Sequence, residues 1–234
     1  MRRALVSGGS GEIGAAICRQ LAADGWRVIV HAHARAEQAA DLAREIGGES
    51  VSFDLLDAAA AAGAAARLLE QGPVQGVAHA AGAHDDAPLA GMSARQWHQV
   101  IGLSLDGFYH LLQPLLLPML RTRWGRIVSI TSVAATVGNR GQVNYAAAKA
   151  GLHGATRALA LEVASRGVTV NAVAPGIIAS TMSEAAFPPE RIAQLVPLQR
   201  AGTPQEVASL VGFLMSERAG YITGQVVPVN GGIA

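Results

Sequence analysis

Short β-branched runs alternate with longer alanine-rich helical stretches, and this predicts an α/β protein. The expected architecture is a single doubly wound Rossmann-type domain, with a seven-stranded parallel sheet and helices on both faces. Two further observations point the same way. Strand candidates such as Val28-Ile29-Val30 are apolar throughout, as suits burial on both sides. The helices between them are long enough for right-handed crossovers. At 234 residues, half of them hydrophobic, the chain can bury a sizeable core.

Taken in order, Ala4-Leu5-Val6 forms the first strand and runs into a glycine-rich turn. Ile13 to Asp24 then carries apolar residues at helical spacing, and Gly25 stops that helix. Val28-Ile29-Val30 is the second strand, followed by a helix from about Ala36 to Ile46 that Gly47-Gly48 closes. Val51-Ser52-Phe53 is the third strand, and Ala58 to Gln71 a helix ended by Gly72-Pro73. Strands at Gly76 to Ala80 and Arg126 to Ile130 flank one long helical region, roughly Ser93 to Leu120. Tyr145 to Arg166 is helical, Thr169 to Val173 a strand, Gln205 to Met215 the last helix and Val226 to Val229 the last strand. No repeat, linker or low-complexity tract interrupts residues 1–234, which read as one domain.

Only 15% of residues are charged, against about 25% in an average soluble protein. Disorder is thereby excluded, and some uncharged surface is expected to be covered by other subunits. Lys and Arg number 18 and Asp and Glu 17, with no basic block, so neither nucleic acid nor an acidic membrane is an expected partner. Cys18 is the one cysteine and cannot form an internal disulfide, which fits a reducing cytoplasm. After Met1-Arg2-Arg3 only Ala4-Leu5-Val6 is apolar, too short for a signal-peptide core. Leu111 to Leu120 is interrupted by Gln113, Pro114 and Pro118 and is half the length of a membrane span. A cytoplasmic location is expected.

Ser7-Gly8-Gly9-Ser10-Gly11-Glu12-Ile13-Gly14 joins the first strand to the first helix. Glycines there permit a tight turn and close approach of a pyrophosphate, and the helix N-terminus offers unpaired N–H groups. Gly8, Gly9, Ser10, Gly11 and Ile13 are therefore candidate cofactor contacts. NAD sites place an acid near the end of the second strand, to hold the ribose 2′-hydroxyl. Here that place reads His31-Ala32-His33-Ala34-Arg35, with no carboxylate before Glu37. Arg35 and the imidazoles could hydrogen-bond a 2′-phosphate, which points to NADP(H); otherwise His31 and His33 stand as two side chains in solvent. No carboxylate or thiol completes a set around this His-x-His pair, so no metal is expected.

Tyr145 and Lys149 lie four residues apart and share a helix face. A free tyrosine has a pKa of about 10 and donates its proton poorly at neutral pH. A neighbouring cation stabilises the phenolate, so Tyr145 tuned downward could protonate an alkoxide that forms as hydride arrives. Ser132 follows the strand Arg126 to Ile130, at the carboxyl edge where open α/β sheets place ligands, and could orient a substrate carbonyl.

With these residues in place, the chain resembles the short-chain dehydrogenase/reductase family over essentially its whole length. It looks most like that family's reductases of 3-oxoacyl groups on acyl carrier protein. The resemblance rests on Gly125-Arg126-Ile127-Val128, Ser132 thirteen residues before Tyr145, and the run Gly138 to Gly151 containing Tyr145-Ala146-Ala147-Ala148-Lys149. It continues through Val170-Asn171-Ala172-Val173-Ala174-Pro175-Gly176, Tyr221-Ile222-Thr223-Gly224 and Val229-Asn230-Gly231-Gly232. It implies that Ser132 orients the ketone and Tyr145 donates the proton, while Lys149 holds the nicotinamide ribose and acidifies Tyr145. It implies adenine contacts at Asp54 and Leu55, a cleft lined by Ala81 and Gly82, and a backbone contact to the carboxamide at Ile178.

Three departures from the family pattern stand out. Glu12 replaces a glycine and is expected to face solvent; Gly8, Gly11 and Gly14 keep a spacing like the family's extended branch. His79-Ala80-Ala81-Gly82 replaces Asn-Asn-Ala-Gly, which is expected to lose hydrogen bonds that brace the sheet. Ser104 aligns with the family's catalytic asparagine, and is expected to serve only if the helix keeps a local kink there.

Residues 179–203 resemble the family's substrate lid. Arg123 and Arg166 match arginines that the carrier-protein reductases present to the acidic carrier, and are expected near the cleft; otherwise they are ordinary surface arginines. The two long helices resemble those of the family's four-helix dimer contact, with Phe108, Leu111, Leu112, Leu115 and Leu116 as the excess apolar surface, or else as a fully buried helix. Gln225 to Ala234 is the expected second interface of a homotetramer. The resulting expectation is an NADPH-dependent 3-oxoacyl reductase acting on acyl carrier protein. The alternatives are a reductase or dehydrogenase of a free small ketone or alcohol, and a nucleotide sensor without turnover.

Overall fold

The structure is a computed structural model that describes residues 1–180 and 187–234. Its seven strands are β1 (Arg3–Ser7), β2 (Arg27–Ala32), β3 (Glu49–Ser52), β4 (Gly76–His79), β5 (Gly125–Ile130), β6 (Val168–Pro175) and β7 (Val226–Val229). They pair in the order β3-β2-β1-β4-β5-β6-β7, every neighbour parallel, as the alternation predicts. The principal helices are α1 (Glu12–Ala23), α2 (Ala36–Glu45), α3 (Ala58–Glu70), α4 (Ala94–Ile101), α5 (Gly107–Arg121), α6 (Ala134–Val137), α7 (Val143–Val163), α8 (Pro189–Leu195) and α9 (Pro204–Met215).

Alternation within the apolar strands divides the core in two. Ala4, Val6, Val28 and Val30 face a cluster with Ile17, Leu21, Leu42, Val207 and Leu214, supplied by α1, α2 and α9. Leu5, Ile29 and Val77 face the other side, with Leu68, Leu111, Leu115 and Val163 from α3, α5 and α7. Successive strand residues point to opposite faces, so a strand covered on both sides must be apolar at every position. Truncating one of these buried leucines to alanine costs about 2–5 kcal/mol.

Three details differ from the sequence reading. β3 begins at Glu49, before the expected Val51, because a charged residue is held there: Glu49 accepts Arg3 at 3.1 Å and stands 3.5 Å from Arg27. Phe53 has left the strand and packs on the His31 ring, with centroids 4.3 Å apart. The long helical region is not uniform, since a π-helical turn at Gly102–Asp106 separates α4 from α5.

By length and composition the run Ala94–Arg121 could span a membrane, but Leu111, Leu112, Leu115 and Met119 on it are buried against the sheet, so it is a core helix. This also corrects the apolar surface expected of the long helices. Leu111, Leu112 and Leu115 fill the chain's own core and Phe108 and Leu116 pack against it, whereas Tyr109, Leu117, Val143 and Leu161 are exposed.

The register brings the carboxyl ends of the central strands into line. Ser7 pairs with His79, His79 with Ser129, Ile130 with Val173, and Pro175 with Val229. The loops that follow these strands therefore meet at one edge, as open α/β sheets require of a ligand crevice.

Candidate active site

The first turn at that edge is shaped by glycines that no other residue could replace. Gly8 has φ +66°, and a Cβ on it would lie 2.9 Å from the Ala81 backbone. A Cβ on Gly14 would come within 2.1 Å of the Gly8 carbonyl oxygen, and one on Gly9 within 2.6 Å of Val30 Cγ1. Backbone can pack this closely only without side chains. Gly11 caps α1 with no side-chain hydrogen bond, so the first-turn N–H groups, which no helix pairs internally, face outward. Ser10 and Gly11 border this opening, Ile13 packs on the core behind it, and Glu12 is exposed as expected. The turn fits a dinucleotide pyrophosphate.

At the end of β2 the three basic residues separate. His31 is buried, not in solvent: its Nδ1 accepts the Gly8 N–H at 3.4 Å and its Nε2–H donates to the Phe53 carbonyl at 3.0 Å. Burial lowers its pKa, so it is a neutral brace between the glycine turn and the end of β3, not a phosphate ligand. His33 and Arg35 are exposed. An Arg35 guanidinium nitrogen lies 3.7 Å from the point a Gly11 Cβ would occupy, which places it over the glycine turn. Asp54 is the nearest acid, 3.9 Å from His33, and its Oδ1 accepts the Leu56 N–H at 2.9 Å. The Leu55 side chain is buried against α5, leaving only its backbone for a ligand, and its carbonyl accepts from His110 at 2.7 Å.

Ser132, Tyr145 and Lys149 come together beyond the end of β5. Ser132 Oγ accepts the Ala134 N–H at 3.2 Å, and its hydroxyl lies close enough to the Tyr145 phenol to favour the phenolate. Lys149 is buried; its Nζ donates to the Ile130 carbonyl at 3.0 Å and stands 5.7 Å from the Tyr145 ring centre. Burial pushes its pKa down to about 8. The expected acidification of Tyr145 is not what these side chains produce. Burial raises the phenol above its ordinary value, the Ser132 hydroxyl opposes this, and the charge of Asp86 adds to the rise. The Lys149 ammonium is drawn to the Ile130 carbonyl at the end of β5.

The two altered family positions also correct an expectation. His79 does not forfeit hydrogen bonds. Its Nδ1 lies 2.9 Å from Ser7 Oγ and its Nε2 3.2 Å from the Ser104 carbonyl. Because Ser7 Oγ accepts the Ala81 N–H at 3.2 Å, its own proton goes to Nδ1, and Nε2–H donates to Ser104. Burial, helped by the Lys149 charge, pushes the His79 pKa down to about 3 and keeps it neutral. Ser104 sits in the π turn, so the kink is present. Its Oγ is buried and has no hydrogen-bond partner among the described residues.

Gly82 joins these groups. A Cβ on it would lie 2.9 Å from Lys149 Nζ and 4.0 Å from Ser104 Oγ, so any side chain there would push the lysine aside. Ala81 is buried beside it. Ile178 pairs with Gly202 in an isolated bridge that ties together the two ends of the expected lid, whose residues 181–186 lie outside the described residues.

Arg123 and Arg166 are not near this cleft. They precede β5 and β6, at the amino edge of a parallel sheet whose carboxyl edge carries Ser132. They do neighbour one another, with Arg123 Nη2 reaching the Ser165 carbonyl at 3.4 Å. Sequence reasoning missed Asn144. Its buried amide donates to the carbonyls of Asp85 and Gln96, at 3.1 and 3.2 Å, and its Oδ1 caps the Tyr145 N–H at 2.8 Å. Asp86 was missed too, held by Gln142 at 2.7 Å beside the tyrosine. Adjacency of Asn144 to Tyr145 was the only available signal for the first, and none existed for the second.

Comparison with known proteins agrees with this geometry. Residues 9–234 match a family model described as Enoyl-(Acyl carrier protein) reductase. The chain is 43% identical over 236 residues to the 3-oxoacyl-(acyl-carrier-protein) reductase of Aggregatibacter actinomycetemcomitans, covering 98% of each chain. It is 44% identical over 238 residues to the Pseudomonas aeruginosa protein of the same name, covering 98% of this chain and 96% of that one. It is 42% identical over 235 residues to the acetoacetyl-CoA reductase of Rhizobium meliloti, covering 99% and 98%. A parallel seven-stranded sheet, a glycine turn fitted to a nicotinamide dinucleotide, and a Ser132–Tyr145–Lys149 group at its carboxyl edge thus stand in a chain that belongs to the short-chain dehydrogenase/reductase family of oxidoreductases.

Proposed function

We propose that the protein reduces a 3-oxoacyl thioester carried on acyl carrier protein to the 3-hydroxyacyl thioester, with NADPH as the reductant. The observation that carries the chemistry is the grouping of Ser132 beside the Tyr145 phenol, with the buried Lys149 Nζ 5.7 Å from the tyrosine ring centre. Bound at the glycine turn, the dinucleotide supplies the hydride. Ser132 Oγ positions the ketone oxygen, and Tyr145 Oη gives that oxygen its proton as the alcohol forms. One Lys149 proton is committed to Ile130, which leaves two for the ribose hydroxyls and for restoring the tyrosine.

Arg35 over the glycine turn, with Asp54 engaged by its own loop, supports NADPH over NADH. Asp86 beside Tyr145 disfavours a free 3-oxo acid, whose carboxylate it would repel, and is compatible with a thioester or a small neutral ketone alike. The carrier is supported by the named relatives; the acetoacetyl-CoA reductase among them supports a second reading, in which the thioester is on coenzyme A. Residues 179–203 act as lid in either reading, and a cytoplasmic homotetramer is the proposed working form. Exposed Tyr109, Leu117 and Leu161 supply apolar surface for its helix-mediated contact.

The test is oxidation of NADPH and NADH with acetoacetyl groups on acyl carrier protein, on coenzyme A and on a short pantetheine. A kcat/KM highest with the carrier supports the first reading, and one highest with coenzyme A the second. Equal values on all three thioesters would remove the carrier from the proposal.

A further inference from the structure

The two family positions that this chain alters are joined to each other. His79 ends β4 and Ser104 lies in the π turn, 25 residues on, yet the imidazole spans the gap between the Ser7 hydroxyl and the Ser104 carbonyl. Both residues are completely buried, and the imidazole edge also meets the Phe108 ring at 5.8 Å. The π turn has looser backbone hydrogen bonding than the α-helices on either side. A neutral imidazole donating to one of its carbonyls adds a fixed tether from the sheet.

That tether sets where the Ser104 hydroxyl sits. Ser104 Oγ and Lys149 Nζ both border the point above Gly82, at 4.0 and 2.9 Å. The lysine has donors beyond the one given to Ile130, and the serine hydroxyl has an unused acceptor and donor in a buried polar pocket. A buried hydroxyl without a partner is costly, and Ser129, Thr156 and Thr169 carry others; what sets Ser104 apart is that its Oγ borders the same point as Lys149 Nζ.

We propose that His79 is a positioning residue of the reaction: by holding the Ser104 carbonyl it keeps the π turn closed and Ser104 Oγ turned toward Lys149, so that the two altered positions work as one pair in returning protons to the lysine. The inference rests on the proton transfer from Tyr145 through Lys149 in the proposed reaction.

Two substitutions at His79 separate this role from simple bracing. In His79→Asn the amide keeps the place of Nδ1 and the contact to Ser7 but cannot reach Ser104. In His79→Gln the amide reaches the place of Nε2 and still donates to the Ser104 carbonyl. The proposal expects His79→Asn to lower kcat about tenfold with KM for NADPH nearly unchanged, and His79→Gln to retain most of kcat. It also expects the amides of residues 102–106 to exchange hydrogen faster in His79→Asn than in His79→Gln. Ser104→Ala should lower kcat by a similar factor, and His79→Asn/Ser104→Ala should be no worse than either single change.

The reverse ranking, with Asn active and Gln impaired, would show that only the Ser7 contact matters and would overturn the proposal. So would multiplying losses in the double variant, or full kcat in Ser104→Ala, which carries the argument if neither His79 variant folds. A wild-type enzyme that turns over no thioester would instead remove the reaction proposed above; hydrogen exchange at 102–106 would still decide whether His79 holds the π turn.

Discussion

Lys149 Nζ donates to the carbonyl of Ile130 at 3.0 Å, which ties the cation of α7 to the last residue of β5. The lysine is thereby aimed past the sheet edge and away from bulk water, and burial is the cause of its depressed pKa of about 8. Lys149→Met should abolish turnover and weaken NADPH binding together, because one group serves both. Fluorescence titration of NADPH alongside steady-state rates checks this; unchanged cofactor affinity would restrict Lys149 to proton transfer.

Tyr145→Phe removes the proposed proton donor and leaves the ring, the helix and the cofactor turn in place. The loss of a general acid is worth about 10²–10⁴-fold in kcat. NADPH affinity should stay within about twofold, since the phenol oxygen faces Ser132 and not the glycine turn.

Arg35→Ala should raise KM for NADPH by roughly 10- to 100-fold and leave KM for NADH unchanged, from the loss of one charge-assisted hydrogen bond of about 1.5–3 kcal/mol. Equal effects on both cofactors would place the guanidinium elsewhere than on the 2′-phosphate.

Gly14→Ala brings a methyl group to within 2.1 Å of the Gly8 carbonyl oxygen, and neither backbone can yield without opening the turn. The expected result is a lowered Tm and loss of both NADPH and NADH binding. Gly63→Ala, which meets nothing closer than an Arg67 nitrogen at 3.7 Å, is the matching control and should be neutral or slightly stabilising.

Stability should fall in mild acid on account of His79. Its native pKa is about 3, below the ordinary histidine value near 6.5, so the unfolded chain binds the proton first. The contribution is present above pH 6.5, declines as pH falls below that, and is gone near pH 3. Urea unfolding of wild type and His79→Gln at pH 7 and pH 4.5 checks this: the glutamine variant, with nothing to titrate at that position, should lose less stability between the two.

The sequence alone determined the class of fold and which residues make up the candidate site. Apolar strands separated by crossover helices admit little besides a doubly wound parallel sheet, because both faces must be covered. The glycines of the first turn and the Ser132, Tyr145 and Lys149 set were legible because each needs a particular residue type at a fixed interval along the chain. What lay between elements was not legible. Arg123 and Arg166 look close to the cleft only until the strand direction assigns them to the opposite edge. Phe108, Leu111 and Leu115 look like surplus apolar surface until helix rotation turns them inward and leaves Tyr109, Leu117 and Leu161 outside. His31 and His79 are both strand-end histidines in sequence, and only burial makes each a neutral brace. Local spacing carries periodicity and residue type, whereas desolvation and contacts between distant segments arise only when the strands are laid side by side.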